Sequence, residues 1–268
     1  MYAVMNTQQA PIKQQLESLT QVLKTQLDQA LISIDLFGSA VDGLLGPESD
    51  LDLLVVVNQK LNDIQKQQLA QQLLQLSAPL RSAQQRALEV TILNLDALNT
   101  QSYPIQYELQ YGEWLREELI LGAELCSLAD PDVTILLKKA QRQHLHLYGQ
   151  PILDNMAEIP FQDVIRAMQD TFPSIIAHWD EDQDERNQIL ALCRMLYTLH
   201  FKEITAKHSA AAWFIQFLTA EQKRVLQLMI DEYQGVVAQQ NWAQFHAPLT
   251  DIVENLTQRI QFEFQAYA

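Results

Sequence analysis

Gly38-Ser39 closes one apolar run, LISIDLF (31–37), and Asp50-Leu51-Asp52 opens a second, LDLLVVV (51–57). Backbone N–H groups that follow a strand and open a short helix, joined by a serine hydroxyl, form a cradle for phosphate oxygens. Carboxylates at i and i+2 on a strand project from one face. Such a pair repels itself unless a divalent cation lies between, and magnesium carrying nucleotide phosphates is the usual partner. Glu89, flanked by Leu88 and Val90 in ALEVTILNL (87–95), reaches the same point if its strand neighbours the second. Singly, each piece has a plainer reading: a turn, a solvated strand edge, a solvent-facing glutamate. Together, in this order and spacing, they are the parts of metal-assisted nucleotidyl transfer. Glycine usage agrees. The 268 residues contain only 7 glycines, where average usage gives roughly 19, and Gly38, Gly43 and Gly46 all fall in this one loop.

The elements that must position these groups follow from periodicity. Ile12, Leu16, Leu19, Val22, Leu23 and Leu27 recur at helical spacing and predict a helix over 12–29. Strands are predicted at 31–37, 49–57, 87–95 and, more weakly, 104–112, with a Gln- and Leu-rich helix at 61–80. DPDVTILLKKAQRQHLHLYG reads as a helix from an acidic N-cap to Gly149 and Pro151, where strands are expected to end. Residues 147–162 read as a linker, followed by helices at 161–172, 184–202, 209–217, 219–234 and 249–265. The expectation is α+β: a mixed-sheet domain over 1–157 and an all-helical bundle domain over 158–268, meeting at a cleft.

Charge bounds the partners. Eighteen Lys and Arg against 33 Asp and Glu give a net charge of −15, a field that repels polyanions and disfavours nucleic-acid or acidic-membrane partners. ATP is admitted where metal ions and local donors hold it. Cys126 and Cys193, far apart in apolar stretches, read as buried inert thiols, and His144 and His146 as split around a helix. No basic leader followed by an apolar run and no spanning segment is seen. A cytoplasmic, monomeric protein is expected.

A second acidic feature stands at 179–185, Trp-Asp-Glu-Asp-Gln-Asp-Glu, opening the longest helix of the second half. It reads either as a solvated helix N-terminus suited to the helix dipole or as a patch for a cationic acceptor. Trp114, after Gly112-Glu113 at the end of a strand, is either a core tryptophan or the aromatic face such a cation needs.

Gly38-Ser39 with Asp50-x-Asp52 resembles the signature of the nucleotidyltransferase superfamily that includes DNA polymerase β. GSAVDGLLGPESDLDLLV, YELQYGEW (107–114), DPDVTILLKKA (130–140) and DERNQILALCRMLYT (184–198) further resemble the bacterial aminoglycoside (3″)(9)-adenylyltransferases, over nearly the whole chain. The resemblance implies a polymerase β-like nucleotidyltransferase domain and transfer of AMP from Mg-ATP to the 3″-hydroxyl of streptomycin and the 9-hydroxyl of spectinomycin. It makes Asp50, Asp52 and Glu89 ligands for one or two magnesium ions, with Glu89 the catalytic base. Gly38, Ser39, Ser49, Asp132, Arg194, Lys207 and Tyr233 fall to ATP. Trp114 and Asp180 match a pair associated with streptomycin, and Asp184 and Asn187 match further drug contacts. A narrower alternative keeps the reaction but takes spectinomycin alone or another small cationic acceptor. An RNA or protein acceptor and a non-catalytic nucleotide sensor are the rival classes; the charge disfavours RNA, and a sensor would typically lack one of the carboxylates.

Overall fold

The sheet of the N-terminal half runs β5-β4-β3-β2-β1-β6, and β2 and β3 form its parallel pair, the other neighbours being antiparallel. The strands are β1 (Leu31–Phe37), β2 (Leu51–Val57), β3 (Leu88–Asn94), β4 (Ile105–Tyr111), β5 (Leu128–Asp130) and β6 (His144–Gly149). This computed structural model describes residues 10–42, 45–80, 82, 85–181 and 184–267; Gly43 of the glycine loop and Asp182 of the acidic stretch lie outside them. The chain divides after Ile159 into two compact units.

Strand alternation gives the sheet two chemically different faces. One carries Ile34, Leu36, Leu53, Val55, Val90, Ile92, Leu109 and Tyr111, all buried. Against it pack α1 (Ala10–Leu27), through Leu16, Leu19, Leu23 and Leu27, and α2 (Asp63–Leu76), through Leu69 and Leu73. The Asn62 and Gln65 side chains cap α2 reciprocally. The other face carries Phe37, Asp52 and Glu89 in one cross-strand row. Helix α5 (Pro131–Arg142) lies against β1 and β4, its Lys139 reaching this row. Short α3 (Leu95–Thr100), α4 (Arg116–Ile120) and α6 (Ile152–Asn155) complete the unit.

The C-terminal unit is helical, with α7 (Phe161–His178), α8 (Glu185–Phe201), α9 (Lys207–Phe214), α10 (Ala220–Tyr233) and α11 (His246–Gln265). Helix α8 is buried along Ile189, Leu190, Leu192, Cys193 and Leu196, and α11 packs on it through its own row Leu249, Ile252, Leu256, Ile260. Arg186 and Glu232 are buried within this unit and pair at 2.6 Å; Glu232 also accepts from the Gln240 N–H at 2.8 Å. Helix α7 runs on through Pro173 to His178, past the end at 172 that the sequence predicts. None of the described helices is long and apolar enough to cross a membrane.

Three expectations are corrected. Helix α5 stops at Arg142, and His144–Gly149 is a strand beside β1, so strands do not end before this segment. The period-two run His-Leu-His-Leu explains it: Leu145 and Leu147 pack on the apolar core while the histidines face the other way. His144 and His146 therefore share a strand face instead of being split around a helix. Strand β5 has only three residues, too few to carry a pattern. Cys193 is buried, but Cys126 is exposed, in the loop that precedes the edge strand β5.

Candidate active site

Asp52 and Glu89 are register partners across the parallel β2–β3 pair. In each strand the second residue is the one position not fully buried, so the two carboxylates emerge side by side where both strands begin. Phe37 is the β1 partner of Asp52, which brings the Gly38-Ser39 turn over the same point. Gly38 holds φ +75° and opens a short 3-10 turn; Val41 and Asp42 N–H groups both donate to its carbonyl at 3.0 Å. A methyl at position 38 would sit 1.8 Å from Asp52 Oδ2, so only glycine lets the turn approach that carboxylate.

Asp50 lies two residues before Asp52, in the lead-in to β2. The loop before it is held by groups the motif reading passed over. Ser49 is buried, its Oγ accepting from the Gly46 N–H at 2.9 Å, so it braces the loop. Arg86 Nη1 donates to the carbonyls of Gly46 (2.6 Å) and Pro47 (3.0 Å). Burial lowers the Arg86 pKa while the negative charge of Asp50 works against that shift. Buried Gln15 on α1 fixes Arg86 in turn, accepting from its N–H at 2.9 Å and donating to its carbonyl at 2.8 Å.

Lys139 is the cation that sequence reasoning missed. From the last turn of α5 its Nζ lies 3.6 Å from Asp52 Oδ2 and 5.4 Å from the centre of the Phe37 ring. Its neighbour Lys138 turns away to Glu158 (2.5 Å) and the Ile159 carbonyl (3.0 Å). The adjacent pair in the sequence did not reveal which lysine faces the sheet. Asp132 sits at the start of α5, exposed, its N–H capped by the Asp130 carboxylate at 2.9 Å. It stands two turns before Lys139, on the same side of the helix.

Trp114 is 58% exposed, so it is not a core residue. Its ring lies over Gly112, where a Cβ would meet it at 2.1 Å. The backbone beneath is fixed by Glu113. Glu113 Oε1 accepts from Ser77 Oγ, from Tyr111 OH (3.0 Å) and from Arg116 Nη2 (2.9 Å), and Oε2 accepts from Arg116 Nε (2.5 Å). Burial works to raise the Glu113 pKa, but these hydrogen bonds and the Arg116 charge outweigh it and hold the carboxylate below its ordinary range. Burial in turn pushes Tyr111 up to about 12. Ser77 Oγ also accepts from the Leu88 N–H at 3.0 Å, so this hub reaches the residue before Glu89.

The remaining expected residues lie in the helical unit. Asp184 Oδ1 accepts from Asn187 Nδ2 at 2.7 Å and Oδ2 from Gln188 Nε2 at 2.8 Å. Asp180 is exposed beside buried Trp179, whose ring stacks on His246 at 5.8 Å. Arg194 is half-buried on α8, and Lys207 opens α9. Tyr233 ends α10 with the His208 ring 6.3 Å and the Arg186 guanidinium 5.9 Å from its own. The structure thus joins Gly38, Ser39, Asp52 and Glu89 at one point, and Asp184 with Asn187 at another.

Two family models match the chain: a nucleotidyltransferase domain over 16–110 and the C-terminal domain of aminoglycoside adenylyltransferase over 155–259. A spectinomycin 9-adenylyltransferase of Campylobacter jejuni is 32% identical over 96% of this chain and 98% of its own. The chain belongs to the aminoglycoside adenylyltransferases. An aminoglycoside (3″)(9) adenylyltransferase of Klebsiella pneumoniae is 36% identical over 81% of this chain and 83% of its own. Among solved structures, the spectinomycin adenyltransferase AAD(9) of Enterococcus faecialis, with ATP and spectinomycin, superposes with TM-score 0.85 at 30% identity, covering 93% of this chain and 99% of that one. As an aminoglycoside adenylyltransferase, the chain has the α+β fold expected of it, a nucleotidyltransferase sheet followed by a helical domain.

Proposed function

We propose that this protein transfers AMP from ATP to the 3″-hydroxyl of streptomycin and the 9-hydroxyl of spectinomycin, releasing pyrophosphate and conferring resistance in the cytoplasm. The observation that carries the reading is the Asp52–Glu89 partnership beneath the Gly38-Ser39 turn, in a chain related over most of its length to enzymes of that name.

The donor set fits magnesium. It consists of hard carboxylate oxygens, and Asp52 already draws an ammonium to 3.6 Å. Among the described residues no three His, Cys, Asp or Glu side chains are grouped to hold a metal ion, so magnesium here would rest on one or two carboxylates and complete its shell with phosphates and water. Asp52 with one of its neighbours Glu89 and Asp50 would hold it, and it would supply Lewis-acid stabilisation of charge on the phosphates. Glu89 takes the proton of the drug hydroxyl as that oxygen attacks the α-phosphorus, and pyrophosphate leaves. The Gly38-Ser39 turn orients the phosphates, while Arg194 and Lys207 neutralise the leaving group. Asp132 and Tyr233 bind the nucleotide, and Ser49 serves through the loop it braces.

Exposed Trp114 favours the dual drug range over spectinomycin alone, because an open aromatic face is what a planar guanidinium needs. Asp180, Asp184 and Asn187 supply the acidic and polar side of the acceptor site. Purified protein with ATP, Mg²⁺ and a panel of acceptors, followed by pyrophosphate release, tests this. Release with both drugs is expected; release with spectinomycin alone establishes the narrower range, and release with neither overturns the proposal.

A further inference from the structure

The Lys139 ammonium stands where the phosphate turn and the carboxylate row meet. It is 3.6 Å from Asp52 Oδ2, and a methyl on Gly38 would lie 3.1 Å from it. The site is not sealed, since the Lys139 side chain is 27% exposed against 13% for Asp52. A lysine ammonium on a four-carbon stem moves readily and offers three rotatable donors. Beside Asp52, in a protein of net charge −15, it neutralises one carboxylate. Neither the phosphate turn nor the Asp-x-Asp motif accounts for this lysine.

We propose that Lys139 is a placeholder cation and a nucleotide ligand in turn. With no nucleotide bound it occupies Asp52. When a divalent ion takes that carboxylate, the ammonium turns to the phosphate oxygens held by Gly38 and Ser39. Lys139 thereby competes with free metal and cooperates with metal-bound ATP. This rests on the nucleotidyl-transfer reading above.

Lys139→Met keeps the length of the stem and removes the charge; Lys139→Arg keeps the charge. Mn²⁺ binding without nucleotide, read by electron paramagnetic resonance, and Mg-ATP binding, read by calorimetry, are compared with the wild type. Lys139→Met is expected to bind Mn²⁺ alone several-fold more tightly and Mg-ATP about tenfold more weakly, the loss of one charge-assisted hydrogen bond. Lys139→Arg is expected to restore most of the Mg-ATP affinity. General damage to the fold would weaken both ligands, so a gain for Mn²⁺ cannot arise from misfolding. Unchanged or weaker Mn²⁺ binding overturns the placeholder role, and unchanged Mg-ATP binding overturns the phosphate role. A wild-type protein that binds no Mg-ATP overturns the parent reading and the phosphate role with it, and the Mn²⁺ titration then judges the Asp52 contact by itself.

Discussion

Asp52 and Glu89 occupy equivalent second positions in two adjacent parallel strands, paired in register, and each is the least buried residue of its strand. A parallel pair places both strand starts at one edge of the sheet. Carboxylates from segments 37 positions apart therefore meet without any loop having to carry them. Their separation is set by the strand spacing of about 4.8 Å, so the rest of the sheet enforces it.

Glu89→Gln keeps the shape of this pair and removes the proposed base. Turnover is expected to fall by roughly 10²–10⁴, with Mg-ATP affinity little changed. Stopped-time assays of pyrophosphate release and calorimetry on the same preparation give the two numbers. Near-normal turnover would assign the proton to another group.

Gly38→Ala attacks the approach of the turn to Asp52. The positive φ alone costs roughly 1–3 kcal/mol for a residue with a side chain, and the methyl must also push Asp52 Oδ2 away from 1.8 Å. Chemical denaturation should show the stability loss, accompanied by weaker Mg-ATP binding. A variant as stable as the wild type and equally able to bind nucleotide would mean that the turn is not held against the carboxylate.

Trp114→Ala and Asp180→Ala separate the two drugs. Streptomycin carries two guanidinium groups, spectinomycin none. Loss of an aromatic face or of a charge-assisted acceptor should lower kcat/KM for streptomycin by about tenfold or more in each variant. Spectinomycin should be nearly unaffected. Resistance levels of cells expressing each variant, measured on both antibiotics, decide the matter; equal losses would mean that neither residue separates the drugs.

Stability should fall as pH rises. Asp35 is fully buried, its Oδ1 2.7 Å from His146 Nδ1, and burial raises its pKa against the pull of His146. Burial works to lower the His146 pKa, but its bonds to Asp35 and the Gly149 carbonyl and the nearby negative charges outweigh it and raise it. Both groups thus hold protons more tightly folded than unfolded. The histidine contribution is complete below about pH 6.5, its unfolded value, and is lost as pH climbs through the higher folded value. The Asp35 contribution is lost in the same direction, from about pH 3.9 upward. The melting temperature should decline as pH climbs above about 6.5, and His146→Gln should flatten that decline.

Much of this was written in the residue order. The first four strands follow from their apolar and alternating runs, and the meeting of the Gly38-Ser39 turn with the carboxylates from their spacing on those strands. Helices with strong periodicity, such as α1 and α8, stand close to where the pattern puts them. What escaped is what tertiary contact decides. Strand β6 looked like the tail of a helix because His144 to Leu147 continues an already helical stretch, and only pairing with β1 makes it a strand. Arg86 and Lys139 are far in sequence from Gly46 and Asp52, which they reach through the fold. Ser49, legible as a phosphate contact, has its hydroxyl engaged by the loop it closes.

The Glu113 hub has an evolutionary consequence. Its hydrogen bonds run to Ser77, Tyr111 and Arg116 and, through Ser77, to the Leu88 N–H beside Glu89. None of them uses the side chain of residue 114, which rests on Gly112 and faces solvent. A lineage under changing antibiotic exposure can therefore exchange that ring while the support behind Glu89 stays whole. On the proposed role of Trp114, such an exchange alters the drug range and leaves the groups around Glu89 as they are.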